Sequence, residues 1–169
     1  MAVLPICHLP DDKVLRQKAK KITRIDASIQ RLINDMVDTM QVANGVGLAA
    51  PQVGVPLRVT VLQMPGEEPS AIINPEIIKH SGEREVTEGC LSVPGYYGGI
   101  KRSVEVTVKG KNRQGKNIRI KAAGLMAEAL EHEIDHLNGT LYIDHVKDEG
   151  RLHKIQTDAT GGSEEKPWL

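Results

Sequence analysis

Two histidines four residues apart form the clearest chemical pattern in the sequence. They belong to the string HEIDH, in which Glu133 lies between His132 and His136. In a helix this spacing places both imidazoles on one face, one turn apart, with the carboxylate beside them. A helix of this kind supplies two nitrogens to a metal and a carboxylate to a water that the metal activates. Two ligands do not complete a catalytic site, so a third must come from elsewhere in the chain.

The third ligand is expected to be a cysteine, because a thiolate binds zinc or iron strongly. The sequence contains two, Cys7 and Cys90. Cys90 lies in a segment rich in glycine and proline that can approach a metal closely. Cys7 lies in the apolar opening segment VLPIC, where a small buried thiol is the simpler interpretation. We therefore favour Cys90 and keep Cys7 as the alternative.

Three separate segments resemble the signature motifs of the peptide deformylase family. They are GVGLAAPQVG at 45–54, EGCLS at 88–92 and HEIDHLNG at 132–139, in this order. An HExxH string alone is only moderately specific, but the three together are specific, and the resemblance extends to about Val146. It implies a metal-dependent hydrolase that removes the N-formyl group from the N-terminal formylmethionine of newly synthesised polypeptides and releases formate.

The resemblance also implies the roles of individual residues. One divalent metal per chain would be held by Cys90, His132 and His136, with an open fourth position, and Glu133 would act as general acid and base. The ferrous ion is the expected native metal, and Zn²⁺, Ni²⁺ or Co²⁺ could occupy the site in a purified sample. The Gln52 side chain and the Leu91 backbone N–H would stabilise the oxyanion.

The same resemblance assigns residues around the substrate. An extended peptide would lie against the backbone of Gly45, Val46 and Gly47 and would face Gly89. The methionine side chain would enter an apolar pocket, whose wall is predicted to be Val46, Leu125 and Ala129. Glu88 and Arg102 resemble an ion pair that braces the cysteine loop, although two unrelated surface charges are the alternative.

Other polar residues near the motifs receive simpler interpretations. Asp135 points about 100° away from His136 on a helix and is expected to brace the site. Tyr96 and Tyr97 are either loop packing or part of the substrate rim. Glu131 and Tyr142 depart from residues common in the family, and neither is expected to contact the ligands. The remaining histidines are expected to be ordinary surface or packed residues: His8, His80, His145 and His153.

The periodicity of apolar residues predicts the elements that position these side chains. Asp26 is a plausible N-cap for an amphipathic helix that ends at Asn44-Gly45, and a second helix is predicted from about Ala123 to Asn138, with Gly139 as its stop. Strands are predicted at 57–63, 71–73, 77–79, 104–108 and 117–121, irregular segments at 45–56 and 88–99, and a short helix at 146–155. The expected fold is α+β, with mostly antiparallel sheets around the HExxH helix.

Composition limits the classes of partner. The chain has 169 residues, with 22 basic and 22 acidic side chains. This length predicts a single domain, which the family resemblance identifies as catalytic over 1–156. The composition TGGSEEKP predicts a flexible tail over 157–169, and the absence of phenylalanine predicts an aliphatic core. The balanced charge argues against a direct nucleic-acid role. No apolar run is long enough to predict a membrane span. We expect a cytoplasmic monomer. Its expected partners are formylmethionyl peptides and nascent chains, and transient contact with the ribosome is left open.

Two other functions share part of the pattern. A zinc peptidase also carries HExxH on a helix, but such enzymes usually take their third ligand downstream of it, whereas Cys90 lies upstream. A structural metal site, or an inactive relative that binds formylated peptides, would not need Glu133. Substitution of Glu133 therefore distinguishes an enzyme from a binding protein.

Overall fold

A computed structural model describes residues 2–146, 151–155 and 169. Within these residues the chain forms two α-helices, three short 3-10 helices and eight strands. The helices are α1 (Ala27–Val42) and α2 (Gly124–Leu137). The strands are β1 (Gly47–Ala49), β2 (Val59–Leu62), β3 (Ser70–Ser81), β4 (Arg84–Cys90), β5 (Val93–Arg102), β6 (Glu105–Lys111), β7 (Asn117–Ala123) and β8 (Leu152–Lys154).

Helix α1 begins directly after Asp26, whose carboxylate accepts hydrogen bonds from two backbone N–H groups of the first turn at 3.0 and 3.2 Å. These bonds satisfy donors that the start of a helix leaves without intrahelical partners. Asn44 is left-handed, with φ 56°, and the N–H of Gly45 donates to the carbonyl of Met40 at 2.9 Å. The Asn-Gly pair thus turns the chain out of the helix and into β1.

A five-stranded antiparallel sheet forms the centre of the fold, in the order β1-β2-β3-β6-β7. The two strands predicted at 71–73 and 77–79 are one strand, β3, interrupted by a register shift between Ile73 and Glu76. Asn74 causes the interruption, because it has φ 52° and its side chain bonds the backbone of Ile22 instead of continuing the ladder. Strand β1 is an edge strand of this sheet.

The two helices cover opposite faces of this sheet, because alternate residues of a strand point to opposite sides. Val59 and Val61 of β2 pack with α1 in one apolar cluster, whereas Leu62 of the same strand packs with α2 in another. The buried side chains of both clusters are aliphatic or methionine, so the predicted aliphatic core is present. Helix α2 therefore has one side fixed against a rigid sheet.

The prediction of an irregular segment at 88–99 is wrong, since this part of the chain belongs to an antiparallel hairpin. Strand β4 pairs with β5 from Arg84–Arg102 to Cys90–Val93, and β8 adds to the outer edge of β5. Backbone pairing does not require apolar side chains, so a segment rich in glycine can still form a ladder. Segment 45–56 was predicted not to be regular throughout, and it contains only two short regular elements, β1 and a 3-10 helix at Ala50–Val53.

The predicted short helix at 146–155 is wrong for its described C-terminal part. Residues 152–154 are strand β8, which pairs with Tyr96–Gly98 of β5, and the ring of His153 lies 5.2 Å from that of Tyr97. Residues 147–150 lie outside the described part. So does most of the tail predicted to be flexible, apart from Leu169, which is buried. The division into a domain over 1–156 and a tail stays a prediction.

The expected α+β class with antiparallel sheets and two main helices is confirmed. Among the described residues, none of the helices combines the length and the apolar character that crossing a bilayer requires.

Candidate metal centre

Cys90, His132 and His136 meet at one point between α2 and the end of β4. The Sγ of Cys90 lies 3.3 Å from Nε2 of His136, which lies 3.2 Å from Nε2 of His132, and all three side chains are buried. All three ligand atoms lie within 4.8 Å of one another. Tetrahedral coordination at ordinary metal–ligand bond lengths would separate two nitrogens by about 3.3 Å and a sulfur and a nitrogen by about 3.5 Å. The two measured distances therefore match those expected when these residues share one metal ion.

Cys7, the alternative ligand, lies away from this cluster. Its backbone N–H donates to the carbonyl of Gln52 at 2.7 Å, and its thiol is half-buried near Gly54. Burial, followed by the charge of Asp12, raises the pKa of the Cys7 thiol, which disfavours the thiolate that binds metals. Among the described residues, only the group formed by Cys90 and the two histidines has ligand geometry.

Glu133 is fully buried, and neither of its carboxylate oxygens has a hydrogen-bond partner among the described residues. Buried carboxylates usually have partners, because an unpaired charge in a dry environment is costly. Burial raises the pKa of Glu133 to about 7. The side chain lies against β1, where a Cβ built on Gly47 would be only 2.6 Å from Oε1 of Glu133. The carboxyl group of Glu133, whose pKa lies near neutral pH, thus faces Gly47 in β1. Because Gly47 has no side chain, there is room for this carboxyl group.

Glu88 and Arg102 form a buried ion pair that extends to the metal ligands. The carboxylate of Glu88 accepts hydrogen bonds from Nε and Nη2 of Arg102 at 2.7 and 2.9 Å, and from Nδ1 of His132 at 2.6 Å. Burial opposes ionisation of Glu88, but these bonds outweigh it and lower its pKa to about 2. Because Nδ1 of His132 donates its proton to an anionic carboxylate, Nε2 is left as the lone-pair atom that faces the site.

Asp135 continues this network toward the surface. It accepts hydrogen bonds from Nη1 of Arg102 and from Nε2 of His145, both at 2.8 Å. The bracing contact expected of Asp135 is therefore present in the structure. His145 was expected to be an ordinary residue, yet its hydrogen bond to Asp135 raises the pKa of its imidazole. Its place in the network depends on the 3-10 helix at Tyr142–His145, which the sequence pattern did not predict.

Gln52 is fully buried and oriented by two contacts. Its side-chain oxygen accepts a hydrogen bond from the N–H of Ala49 at 2.9 Å, so its NH₂ group points the other way. That group donates to the hydroxyl of Ser92 at 3.2 Å and lies 3.7 Å from the sulfur of Cys90. The structure thus places an amide donor beside the ligand cysteine. Ser92, the last residue of the EGCLS string, received no role from the sequence although it anchors this donor.

The expectation that Tyr142 stays clear of the ligands is wrong. Tyr142 is fully buried, and its ring stacks on that of His132 with 6.4 Å between their centres. Glu131, the other departure from the family pattern, points away and accepts a hydrogen bond from the N–H of Ser103 at 2.9 Å. A stacked ring on one ligand is a contact that linear spacing does not reveal.

The residues predicted to contact substrate lie in or next to β1, β4 and α2. Gly45, Val46 and Gly47 lead into β1, whose outer edge has no strand partner among the described residues. Val46 and Ala129 are buried and Leu125 is half-buried in the apolar cluster between α2 and the sheet. Gly89 lies in β4 opposite Tyr97. The N–H of Leu91 donates to the carbonyl of Leu169 at 3.3 Å.

Comparison with known proteins gives one consistent result. The profile of the family described as polypeptide deformylase matches residues 3–152. The peptide deformylase of Dehalococcoides mccartyi is 57% identical over 159 residues, covering 94% of this chain and 95% of that protein. The peptide deformylase of Halothermothrix orenii is 54% identical over 147 residues, covering 86% of this chain and 95% of that protein.

Solved structures agree with the sequence comparison. The crystal structure of a peptide deformylase from Legionella pneumophila superposes with a TM-score of 0.84 at 51% identity, covering 86% of this chain and 87% of that one. A peptide deformylase from Synechococcus elongatus, crystallised in complex with actinonin, gives a TM-score of 0.83 at 41% identity, covering 86% of this chain and 80% of that one.

Proposed function

The chain belongs to the polypeptide deformylase family and is an enzyme that removes N-formyl groups from nascent peptides, and we propose which of its residues carry out this reaction. The observation that carries the proposal is the meeting of three buried ligand atoms beside the unpartnered carboxylate of Glu133. This combination provides both a metal site and a proton acceptor, which a purely structural metal site does not need.

Cys90, His132 and His136 would hold one divalent metal. When bound there, it supplies Lewis acidity that activates a water and polarises the formyl carbonyl. Burial lowers the pKa of His136 below its usual range, which favours the neutral imidazole that ligation requires. Glu88 fixes the ring of His132 through Nδ1. The protein thus presents one sulfur and two nitrogens already aimed at a common centre.

Glu133 would move the proton. Its carboxylate accepts a proton from the attacking water and delivers it to the departing amine as the carbon–nitrogen bond of the formamide breaks, so that formate leaves and the amine is neutralised. A pKa raised to about 7 suits both halves of this transfer, because general acid–base catalysis is most efficient when the pKa lies near the working pH.

Gln52 and Leu91 would stabilise the negative charge that develops on the formyl oxygen. The amide NH₂ of Gln52 is held beside Cys90 by contacts to Ala49 and Ser92, so it needs no reorientation during the reaction. The backbone N–H of Leu91 follows the ligand cysteine directly in the chain. Donors fixed in advance around a developing oxyanion contribute most of the rate enhancement in reactions of this kind.

The substrate is proposed to be the formylmethionyl end of a nascent polypeptide. Its backbone would add to the free edge of β1 at Gly45–Gly47 opposite Gly89, as extended peptides commonly add to exposed sheet edges. The methionine side chain would enter the apolar region of Val46, Leu125 and Ala129. A formyl carbon carries only hydrogen, so the crowded centre excludes bulkier acyl groups by size.

The activity is tested with a formylated methionyl tripeptide and its unformylated counterpart. We expect release of formate from the first and no cleavage inside either peptide. Hydrolysis of internal peptide bonds without formate release would instead identify a peptidase that shares the HExxH helix.

Ferrous iron is proposed as the native metal. A thiolate with two imidazoles suits iron, zinc, nickel and cobalt, so the donor set alone does not choose among them. Purification without oxygen, followed by metal analysis and by assays of each metal form, tests the choice. Iron as the main metal in the protein as isolated, with high activity of that form, is the expected result, and a zinc protein with equal activity would contradict it.

The enzyme is proposed to act as a cytoplasmic monomer, because nascent formylated chains are its substrates and no second copy is needed to complete the ligand set. Transient contact with the ribosome would bring it to those substrates. Light scattering of the purified protein tests the monomer, and co-sedimentation with translating ribosomes tests the contact.

A further inference from the structure

Leu169, the last residue of the sequence, is buried beside the candidate active site. Its side chain is 3% exposed and belongs to the apolar cluster that contains Val46 and Ala129. These are the residues assigned above to the wall of the methionine pocket. A leucine of the chain itself therefore occupies the apolar region proposed for the side chain of the substrate.

The backbone of Leu169 makes a second contact at the same place. Its carbonyl accepts the N–H of Leu91 at 3.3 Å. The same N–H is the donor proposed for the developing oxyanion, and a single N–H cannot serve both acceptors at full strength. Docking of Leu169 and productive binding of a formyl group therefore compete for this N–H.

The last described residues before Leu169, at 152–155, contact the same hairpin. Strand β8 pairs with β5, and the N–H of Ile155 donates to the carbonyl of Gly95 at 2.8 Å. Ile155 also lines a cavity of about 190 Å³ together with Cys90 and Leu91. Ile155 and Leu169 are thus both hydrogen-bonded to residues of the β4–β5 hairpin and its turn.

This arrangement gives Leu169 a high local concentration at the site. Thirteen residues separate Ile155 from Leu169, and a chain of that length spans at most about 45 Å, so Leu169 stays near the hairpin. Attachment within one chain makes the contact of Leu169 intramolecular, so its population does not depend on the protein concentration. A contact that would be weak between separate molecules can therefore be well populated within one.

We propose that Leu169 is a tethered, unformylated occupant of the peptide cleft that regulates access of substrate to the metal centre. This inference rests on the proposed roles of Leu91, Val46 and Ala129 in binding the substrate. Leu169 occupies the apolar pocket and the Leu91 N–H together, and a formylated peptide must displace it before the reaction. Because Leu169 carries no formyl group at this contact, the enzyme does not hydrolyse it.

The test compares the metal-loaded full chain with Leu169→Asp, in which a charge replaces the buried side chain. If Leu169 is docked at least half of the time, hydrogen exchange of the Leu91 amide should accelerate by about twofold or more. The KM for a formylmethionyl tripeptide should fall by a similar factor while kcat is unchanged, since only the fraction of open sites changes.

Two control variants separate docking from general effects. Leu169→Met conserves the volume of the side chain and should keep both the slow exchange and the KM of the parent. Val3→Asp introduces the same charge at a residue that is 56% exposed and should alter neither. A chain ending at Ile155 repeats the comparison without any substituted side chain.

Unchanged Leu91 exchange or unchanged KM, in both Leu169→Asp and the shortened chain, would overturn the inference. The outcome is separable from that of the proposed function. If no form of the protein released formate, the proposed function would fail, and accelerated Leu91 exchange would still support docking. If formate were released while exchange and KM stayed the same, the inference alone would fail.

Discussion

Glu88 accepts hydrogen bonds from His132, a proposed metal ligand, and from the buried cation Arg102 at the same time. Arg102 also bonds Asp135, which lies next to the second histidine. The orientation of the ligands is thus set by charged residues that would not themselves touch the metal. Such contacts usually change metal affinity when they are removed, because the ligand ring loses its fixed tautomer and direction.

Substitution Glu88→Gln should therefore weaken metal binding about 10–100-fold. It should also destabilise the protein by about 3–5 kcal/mol, because Arg102 would stay buried without full compensation of its charge. Chelator competition measures the first effect and urea unfolding the second. Glu85→Gln is the matched control, since Glu85 lies in the same strand but its side chain is 66% exposed. Equal metal affinities in the two variants would contradict the bracing role.

The sequence predicted the roles of some of these residues but not of others, and the difference has a physical reason. The histidines share one helix, so their spacing alone predicts their proximity. The preference for Cys90 over Cys7 came from the glycine and proline residues around Cys90, whereas the position of Cys90 opposite the two histidines depends on tertiary packing that no local pattern encodes. Ser92 and Tyr142 contact the site through tertiary packing, so their roles became visible only in the structure.

Among the elements, β1 and α2 approach each other at Gly47. A Cβ at this position would lie 2.6 Å from Oε1 of Glu133. Gly47→Ala should therefore displace the Glu133 carboxylate and lower kcat/KM by about 10²-fold, since a shift of about 1 Å in a catalytic group has effects of this size. Steady-state kinetics of the variant and the parent at equal metal content measure this fall in kcat/KM.

Gly99→Ala provides the control for that substitution, because nothing lies within 4 Å of a Cβ built there. Its activity should equal that of the parent. A Gly47→Ala protein with full metal content and full activity would show that β1 does not constrain Glu133.

Helix α1 offers a pH-dependent prediction. The hydrogen bond from Ser28, followed by that from the N–H of Ile29, lowers the pKa of Asp26 below its ordinary value of 3.8. A group with a lowered folded-state pKa contributes stability above its unfolded pKa and loses it as the pH falls through the folded value. The stability advantage of the parent over the variant Asp26→Asn should therefore disappear in acid.

Urea unfolding of the metal-free parent and of Asp26→Asn, at neutral pH and below pH 3.8, checks this expectation. Asparagine also caps helices, so any difference between the two proteins should come from the charge. A difference in unfolding free energy that stays constant with pH would contradict it.

The elements also show why local patterns predict some structures better than others. Both helices were predicted because their apolar periodicity and caps are local properties. The β4–β5 hairpin was missed because EGCLSVPGYYGG offers glycine and proline instead of an alternating apolar pattern. Its ladder arises from pairing between the two strands, and Gly95, with φ 84°, admits a backbone bend that few other residues adopt.

In the whole molecule, the candidate metal would connect two sheets. Cys90 ends β4 of the three-stranded sheet, whereas His132 and His136 lie on α2, which packs against the five-stranded sheet. A ligand that binds only the folded state stabilises it according to its concentration relative to Kd. Metal binding should therefore contribute to the stability of the fold as well as to catalysis.

Removal of the metal should lower Tm by about 5–10 °C, if the metal is present at about 100 times its Kd and contributes about 2.7 kcal/mol. Calorimetry before and after chelation measures the shift. Cys90→Ser should lose most of this response, and Cys7→Ser should keep it, because Cys7 lies outside the ligand group. A response that depends on Cys7 instead would contradict the ligand assignment.

Formate release by Glu133→Gln tests the central claim most directly, because every other feature of the site would remain. The metal-loaded variant is compared with the parent on a formylmethionyl tripeptide at matched metal content. Glutamine fills the same space but cannot accept and deliver the proton, so we expect kcat/KM to fall by about 10²–10⁴-fold with fold and metal retained. Formate release at the parental rate by the fully loaded variant would contradict the account.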